Sequence, residues 1–179
     1  MSSAIVTLAL VNPTAESRRP ARLAPRSKTL SGTIALVNGM AIPDKDWGPG
    51  LLDGAESLLQ GLPGEHQFVR SIRERSLPTD IWLDEVRGCA AVVIAAGDCG
   101  SCCLRTGRDQ AALELMGIPS VSIVPQDIAP AIREMGRVAG MADIQVLEVA
   151  RPLLGPSRPV VAGYVTEELA VSLTAALLA

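Results

Sequence analysis

Ala90-Ala-Val-Val-Ile-Ala-Ala96-Gly97-Asp98-Cys99-Gly100-Ser101-Cys102-Cys103 is the stretch that decides the fold. An apolar run without a charge, ended by Gly-Asp, reads as a strand covered on both faces. The following residues, Cys102 to Met116, suit a helix that Gly117 and Pro119 stop. Ser120-Val-Ser-Ile-Val124 then reads as the next strand. A helix over Asp127–Ala139, stopped by Gly140, and a strand over Ile144–Val149 follow.

Upstream the same alternation holds. Thr33-Ile-Ala-Leu-Val37 is a short buried strand ending at Asn38-Gly39. Apolar residues at 51, 52, 55, 58 and 59 mark one face of a helix, which Gly61 to Gly64 break. His66–Arg70 reads as a strand and Asp80–Val86, after Pro78-Thr79, as a helix. At the C-terminus Thr166 caps a helix running to Leu178, with Leu169, Leu173, Ala176 and Leu177 on one face. Strands alternating with helices imply a parallel sheet covered on both sides. The fold class is therefore α/β, a single three-layer domain of flavodoxin-like or Rossmann-like type.

Composition agrees. Hydrophobic residues make up 48% and aromatics only 2%, so Ala, Val, Leu and Ile must build the core, as in buried parallel strands. Residues 1–30 differ from residues 31–179, the α/β domain. Ala4–Val11 is strand-like, and Thr14–Ser31 is polar, basic and proline-containing, which reads as an arm over the surface. The basic run Arg18–Lys28 has no interleaved aromatics, so it reads as solvated chain and no nucleic-acid partner is expected. Ala4–Val11 is too short to span a membrane, and it lacks the flanks of a secretory signal. The expected compartment is the cytoplasm, where cysteines serve catalysis, redox chemistry or metal binding more often than structural disulfides.

With strand order 2-1-3-4-5, the ligand crevice lies at the carboxyl ends of the first and third strands. The loops concerned are Asn38–Gly50 and Gly97–Cys103. Cys99-x-x-Cys102 has dithiol spacing, and a helix start beside it supplies free N–H groups and a dipole that favour a thiolate. Gly97 and Gly100 allow a tight turn and close approach of a substrate. Ser101 is a cap or a hydrogen-bond donor. Asp98 is a proton carrier or a turn residue. Cys89 reads as a small buried hydrophobe, and Cys103 suits either packing or a substrate contact.

A four-cysteine metal site would need Cys89, which an extended strand puts roughly 30 Å from Cys99 at about 3.3 Å per residue. Three cysteines between 99 and 103 could still take copper(I) or zinc. His66, the only histidine, is expected at the opposite end of the sheet, so a Cys-His pair is not expected. Thiolate activation then falls to the helix end and to Arg105 or Arg108, whose charges also suggest an anionic substrate. Asn38-Gly39 could bind a carboxylate or phosphate through backbone N–H groups. Asp44 to Trp47 could form a lid or simply be solvated. Neither a GxGxxG fingerprint nor a P-loop is present, so no tightly bound nucleotide cofactor is expected. Aromatic residues to sandwich a flavin are scarce.

Gly97-Asp98-Cys99-Gly100-Ser101-Cys102 resembles the signature of the UGSC family, named for selenocysteine-Gly-Ser-Cys, in which selenocysteine or cysteine stands where Cys99 stands here. Leu30-Ser-Gly-Thr-Ile-Ala-Leu-Val37 resembles that family's first strand, and Glu114-Leu-Met-Gly-Ile-Pro119 its helix-to-strand junction. Asn12-Pro13-Thr14 resembles its opening Asp-Pro-Thr. Selenium is used for reactivity, so the resemblance implies a redox or nucleophilic Cys99, with Cys102 as resolving thiol. Relatives carry Ser-Val-His-Asp where this chain has Thr106-Gly107-Arg108-Asp109, which puts any acid-base step by that histidine in doubt. The expectation is a thiol-dependent enzyme for a small molecule, reset by an external thiol reductant. The rival readings are covalent cysteine catalysis without redox change (a transferase, lyase or hydrolase) and a soft-metal or redox-sensing module. The apolar first strand and last helix suggest a homodimer.

Overall fold

The computed structural model describes residues 21–39, 47–74, 77–97 and 99–179. The elements run β1 (Gly32–Asn38), α1 (Trp47–Leu59), β2 (His66–Ile72), α2 (Thr79–Val86), β3 (Ala91–Ala95), α3 (Gly100–Leu115), β4 (Ser120–Pro125), α4 (Ala129–Val138), β5 (Gln145–Val149), α5 (Arg158–Ala162) and α6 (Glu167–Leu177). Five strands form one parallel sheet in the order β2-β1-β3-β4-β5. This is the expected three-layer α/β domain, with the expected order reversal between β1 and β3.

Strand alternation sorts the core into two faces. Ile34, Leu36, Val93 and Ile123 pack with α1, α5 and α6 residues such as Leu51, Val161 and Leu177. Ala35, Val37, Val92 and Ile94 pack on the other face with Trp82, Val86 and Leu113 of α2 and α3. Both faces of β3 are fully buried, which explains its uninterrupted apolar sequence. Edge strand β2 alternates between half-buried and exposed.

Three readings need correction. Trp47 is not part of a lid; it opens α1 and is 1% exposed. Asp44, Lys45 and Asp46 lie outside the described residues, as do Ala4–Val11 and Asn12-Pro13-Thr14. Helix α5 has no counterpart in the sequence reading, because its Arg158-Pro159-Val-Val-Ala162 is short and proline-initiated. The described part of the expected arm is pinned to the domain. Ala24 and Leu30 are buried, Ser27 bridges to Leu178, and Arg26 forms a buried ion pair with Glu114. That pair is missed by a sequence reading because its partners are 88 residues apart.

Candidate functional site

β3 ends at Ala95, and the chain crosses the carboxyl edge of the sheet before α3 starts at Gly100. Cys99 is the N-cap residue, in extended conformation at φ −145° and ψ 108°. The first bond of the helix runs from the Cys103 N–H to the Cys99 carbonyl. The N–H groups of Gly100, Ser101 and Cys102 therefore have no carbonyl partner within the helix, and the positive end of its dipole lies at this end, where Cys99 makes no side-chain cap hydrogen bond.

The Cys99 and Cys102 sulfurs lie 2.7 Å apart. That is well inside van der Waals contact, so only a small side-chain rotation separates the pair from the S–S bond length of about 2.05 Å. Cys99 is half-buried, while Cys102 is 3% exposed. Cys99 is therefore the more accessible of the two sulfurs. Ser101 does not cap the helix; it is exposed in the first turn with Oγ 3.4 Å from Cys99 Sγ. Space over Gly100 is open, with nothing within 4 Å of a Cβ built there. Gly97 has a different reason: a Cβ would sit 2.6 Å from Leu153 Cδ1. Asp98 lies outside the described residues.

The other expected contributors are arranged differently. Cys103 faces away from the pair, fully buried among Ala96, Ala111, Val124 and Ile132. It packs as a core residue, apart from the Cys99–Cys102 pair. Among the described residues no group of three His, Cys, Asp or Glu side chains is placed to hold a metal ion. Cys89 packs against the α2–α3 core, and burial pushes its thiol above the ordinary value. The Asn38-Gly39 backbone is spent on the sheet: Gly39 N–H donates to the Ala95 carbonyl at 2.8 Å, and the Asn38 carbonyl accepts from Arg73 N–H. It offers no anion nest there. The Asn38 side chain instead supports α1, since a Cβ at Gly48 would lie 2.6 Å from Asn38 Oδ1.

Arg105 reaches under the site. Its guanidinium donates to the carbonyls of Gly39 (2.9 Å), Arg73 (3.2 Å) and Glu74 (3.3 Å). It thus ties α3 to the carboxyl ends of β1 and β2. Burial first, then the Arg73 charge, lowers its pKa, while Asp109, Cys102 and Cys99 act the other way. The thiol pair therefore lies within electrostatic reach of this guanidinium. Arg108 is exposed on another face of α3 and lines a separate groove with Thr79, Met135 and Val138. It is not a residue of this site.

Two polar networks were not legible in the sequence. Arg73 donates to Asp109 at 2.8 Å, both being almost fully buried, and lies 5.1 Å from the Trp82 ring; Thr79 Oγ1 donates to the other Asp109 oxygen. At the opposite end of the sheet Glu114 gathers Arg26, Ala24 N–H and Ser120. Charged residues inside a helix face packed on a strand with serines at alternate positions were the available signal.

A family model described as the UGSC family matches residues 9–177. No curated protein matches the chain. Among solved structures, the sugar isomerase domain of an RpiR transcription factor from Sphaerobacter thermophilus is similar at 17% identity. The match covers 84% of this chain and 77% of that one, with a TM-score of 0.38. Spanning nearly the whole chain, the family match shows that this protein belongs to the UGSC family.

Proposed function

From membership of that family and the geometry of its signature residues, we propose that the protein is a thiol-dependent oxidoreductase acting on a small molecule, with Cys99 as nucleophile and Cys102 as resolving thiol. The observation that carries this reading is the 2.7 Å approach of a half-buried sulfur to a buried one at a helix N-terminus. The Cys99 thiolate attacks a disulfide or comparably oxidised sulfur of the substrate. An S–S bond forms to Cys99, and the first half of the substrate leaves as a thiolate. The Cys102 thiolate then attacks Cys99 Sγ and expels the second half. Two electrons pass to the substrate and the enzyme is left as the Cys99–Cys102 disulfide. A dithiol reductant restores both thiols by the reverse exchange. The helix N-terminus stabilises whichever of the two sulfurs carries the charge, and Arg105 adds a fixed cation behind them.

The anion recognition expected of Arg105, Arg108 and Asn38-Gly39 is not part of this reading. Arg105 is occupied by backbone carbonyls, Arg108 lies elsewhere, and the Gly39 N–H belongs to the sheet. Among the described residues no helix is long and apolar enough to cross a membrane.

The test is alkylation mapped by mass spectrometry at about pH 6, well below the ordinary cysteine value of ~8.5, before and after mild oxidation. Cys99 labels fastest before oxidation. Afterwards both Cys99 and Cys102 are protected until a reductant is added, and Cys102→Ser abolishes that protection. Fast labelling of Cys99 with no disulfide replaces this reading with covalent catalysis without redox change. Failure of both thiols to label overturns both readings.

A further inference from the structure

A cleft of about 840 Å³ runs along the carboxyl end of edge strand β2. Its volume falls in the range of small-molecule sites, roughly 300–1,000 Å³. Its apolar walls are Leu36, Leu52, Ile72 and Leu77. Ile72 is 52% exposed there, a large apolar side chain left to solvent.

The charges in the cleft are not equivalent. Arg70 and Arg158 are neutralised in place: both donate to Asp53, and Arg70 also bonds to Glu56. The Arg158 bond holds the Asp53 carboxyl below its ordinary range. Glu74 and Glu85 also line the cleft, and among the described residues their carboxylates have no hydrogen bond or ion pair. Arg73 and Arg105, on the Glu74 side, are bound to Asp109 and to backbone carbonyls. Among the described residues, the charge left available to a ligand is therefore negative.

We propose that this cleft binds a small organic cation, an amine or guanidine carried on an apolar body. The apolar body lies against Leu52, Ile72 and Leu77, and the cationic head is held by Glu74 and Glu85. Two lining residues, Asn38 and Glu74, relate the cleft to the elements that carry the thiol site. Asn38, at its inner end, is level with Ala95 just before the cysteine loop, and the Glu74 carbonyl accepts from Arg105. That the bound cation is the substrate of the thiol pair rests on the reading above; the binding site itself does not.

The experiment is a heteronuclear NMR titration of the whole chain with three probes of equal length: 1-aminohexane, 1-hexanol and hexanoate. The amine shifts the Ser71 and Ile72 amides saturably and binds about tenfold more tightly than hexanoate, as expected for two solvent-exposed carboxylates acting together. Glu74→Gln with Glu85→Gln removes the preference. Ile72→Trp, a surface change that leaves the core intact, blocks all three probes. Equal binding of hexanoate or hexanol, no saturable shift, or a preference that survives the double substitution overturns the proposal. Cys99→Ser binds the amine as the natural chain does, so the cleft is tested even if the thiol reading fails. Saturating amine slows Cys99 alkylation; binding without that effect overturns the link between cleft and thiols.

Discussion

Replacing Glu114 with Gln tests which interactions hold the far end of the sheet. The Glu114 side chain is 0% exposed. One carboxylate oxygen accepts from Ala24 N–H and Arg26 Nη1, each at 2.7 Å. The other accepts from Arg26 Nη2, Ser120 N–H and Ser120 Oγ at 2.7–2.9 Å. Every neighbour is a donor. A glutamine must turn its NH₂ toward one of those donor sets, leaving donors unpaired and Arg26, 10% exposed, without its counter-charge. Removing one partner of a buried pair costs about 3–5 kcal/mol, a large share of the roughly 5–15 kcal/mol that holds a typical domain. For a chain of this size that lowers the melting temperature by about 6–20 °C. Urea denaturation read by tryptophan fluorescence, with calorimetry, measures it. Because Glu114 sits at the amino end of β4 and the thiols beyond the carboxyl end of β3, alkylation of Cys99 in the folded variant is unchanged. A loss below about 1 kcal/mol, the worth of an exposed pair, would refute the argument that this carboxylate is irreplaceable.

Burial raises the Cys89 thiol above its ordinary 9.0, so at about pH 8, near the free-thiol value, it alkylates more slowly than a cysteine in a short peptide. A rate equal to the peptide's contradicts the burial of this thiol against the α2–α3 core. The same shift makes its contribution to stability complete below pH 9.0 and lost as pH rises through the higher folded value. The Arg158 bond, the main cause, lowers the Asp53 pKa from 3.8. Its stabilisation is present above that value and lost as pH falls through the lower folded one. Asp53→Asn therefore flattens the acid limb of the stability curve between those two values, and an unchanged limb would assign the acid sensitivity elsewhere. Gly54→Ala drives a Cβ to 2.4 Å from the Ala162 carbonyl where α1 meets α5. It costs about 1–3 kcal/mol, the usual size of overpacking, whereas Gly61→Ala, with only Leu58 O at 3.7 Å, is close to neutral.

Local periodicity carried most of the fold. β3 is legible because both of its faces are covered, and α1 because apolar residues recur at helical spacing on its buried face. The placement of the dithiol was legible for a related reason: a CxxC at a strand-to-helix turn falls at the edge where parallel sheets place ligands. Longer-range pairings were not legible. Glu114 looks like an ordinary helix residue until Arg26 and Ser120 are brought to it, and Asp109 until Arg73 closes on it from the end of β2. Arg105 was read as a substrate contact because sequence distance from Cys102 says nothing about carbonyls arriving from β1 and β2. The cleft was missed for the same reason, since its walls come from β1, α1, β2, α2 and α5.

The departure at position 108 now has a physical reading. The family resemblance puts a histidine at that position in relatives, where this chain has Arg108. Cys102 and Thr106 are buried on successive turns of α3, and Thr106 Oγ1 donates to the Cys102 carbonyl. Arg108, two positions further on, is exposed and lines the groove between the start of α2 and the end of α4, away from the thiols. Residues two apart on a helix do not share a face. A side chain at 108 therefore serves the thiol pair only if α3 turns about its axis. Asp109, fixed by Arg73 and Thr79, and Gly107, packed so closely that a Cβ would sit 2.7 Å from the Ile132 carbonyl, oppose that rotation. The thiol chemistry proposed for this protein therefore calls for no proton carrier at position 108. Arg108→His accordingly leaves the pH dependence of Cys99 alkylation unchanged. A new inflection near the ordinary histidine value of about 6.5 would show that α3 brings this position to the thiols after all.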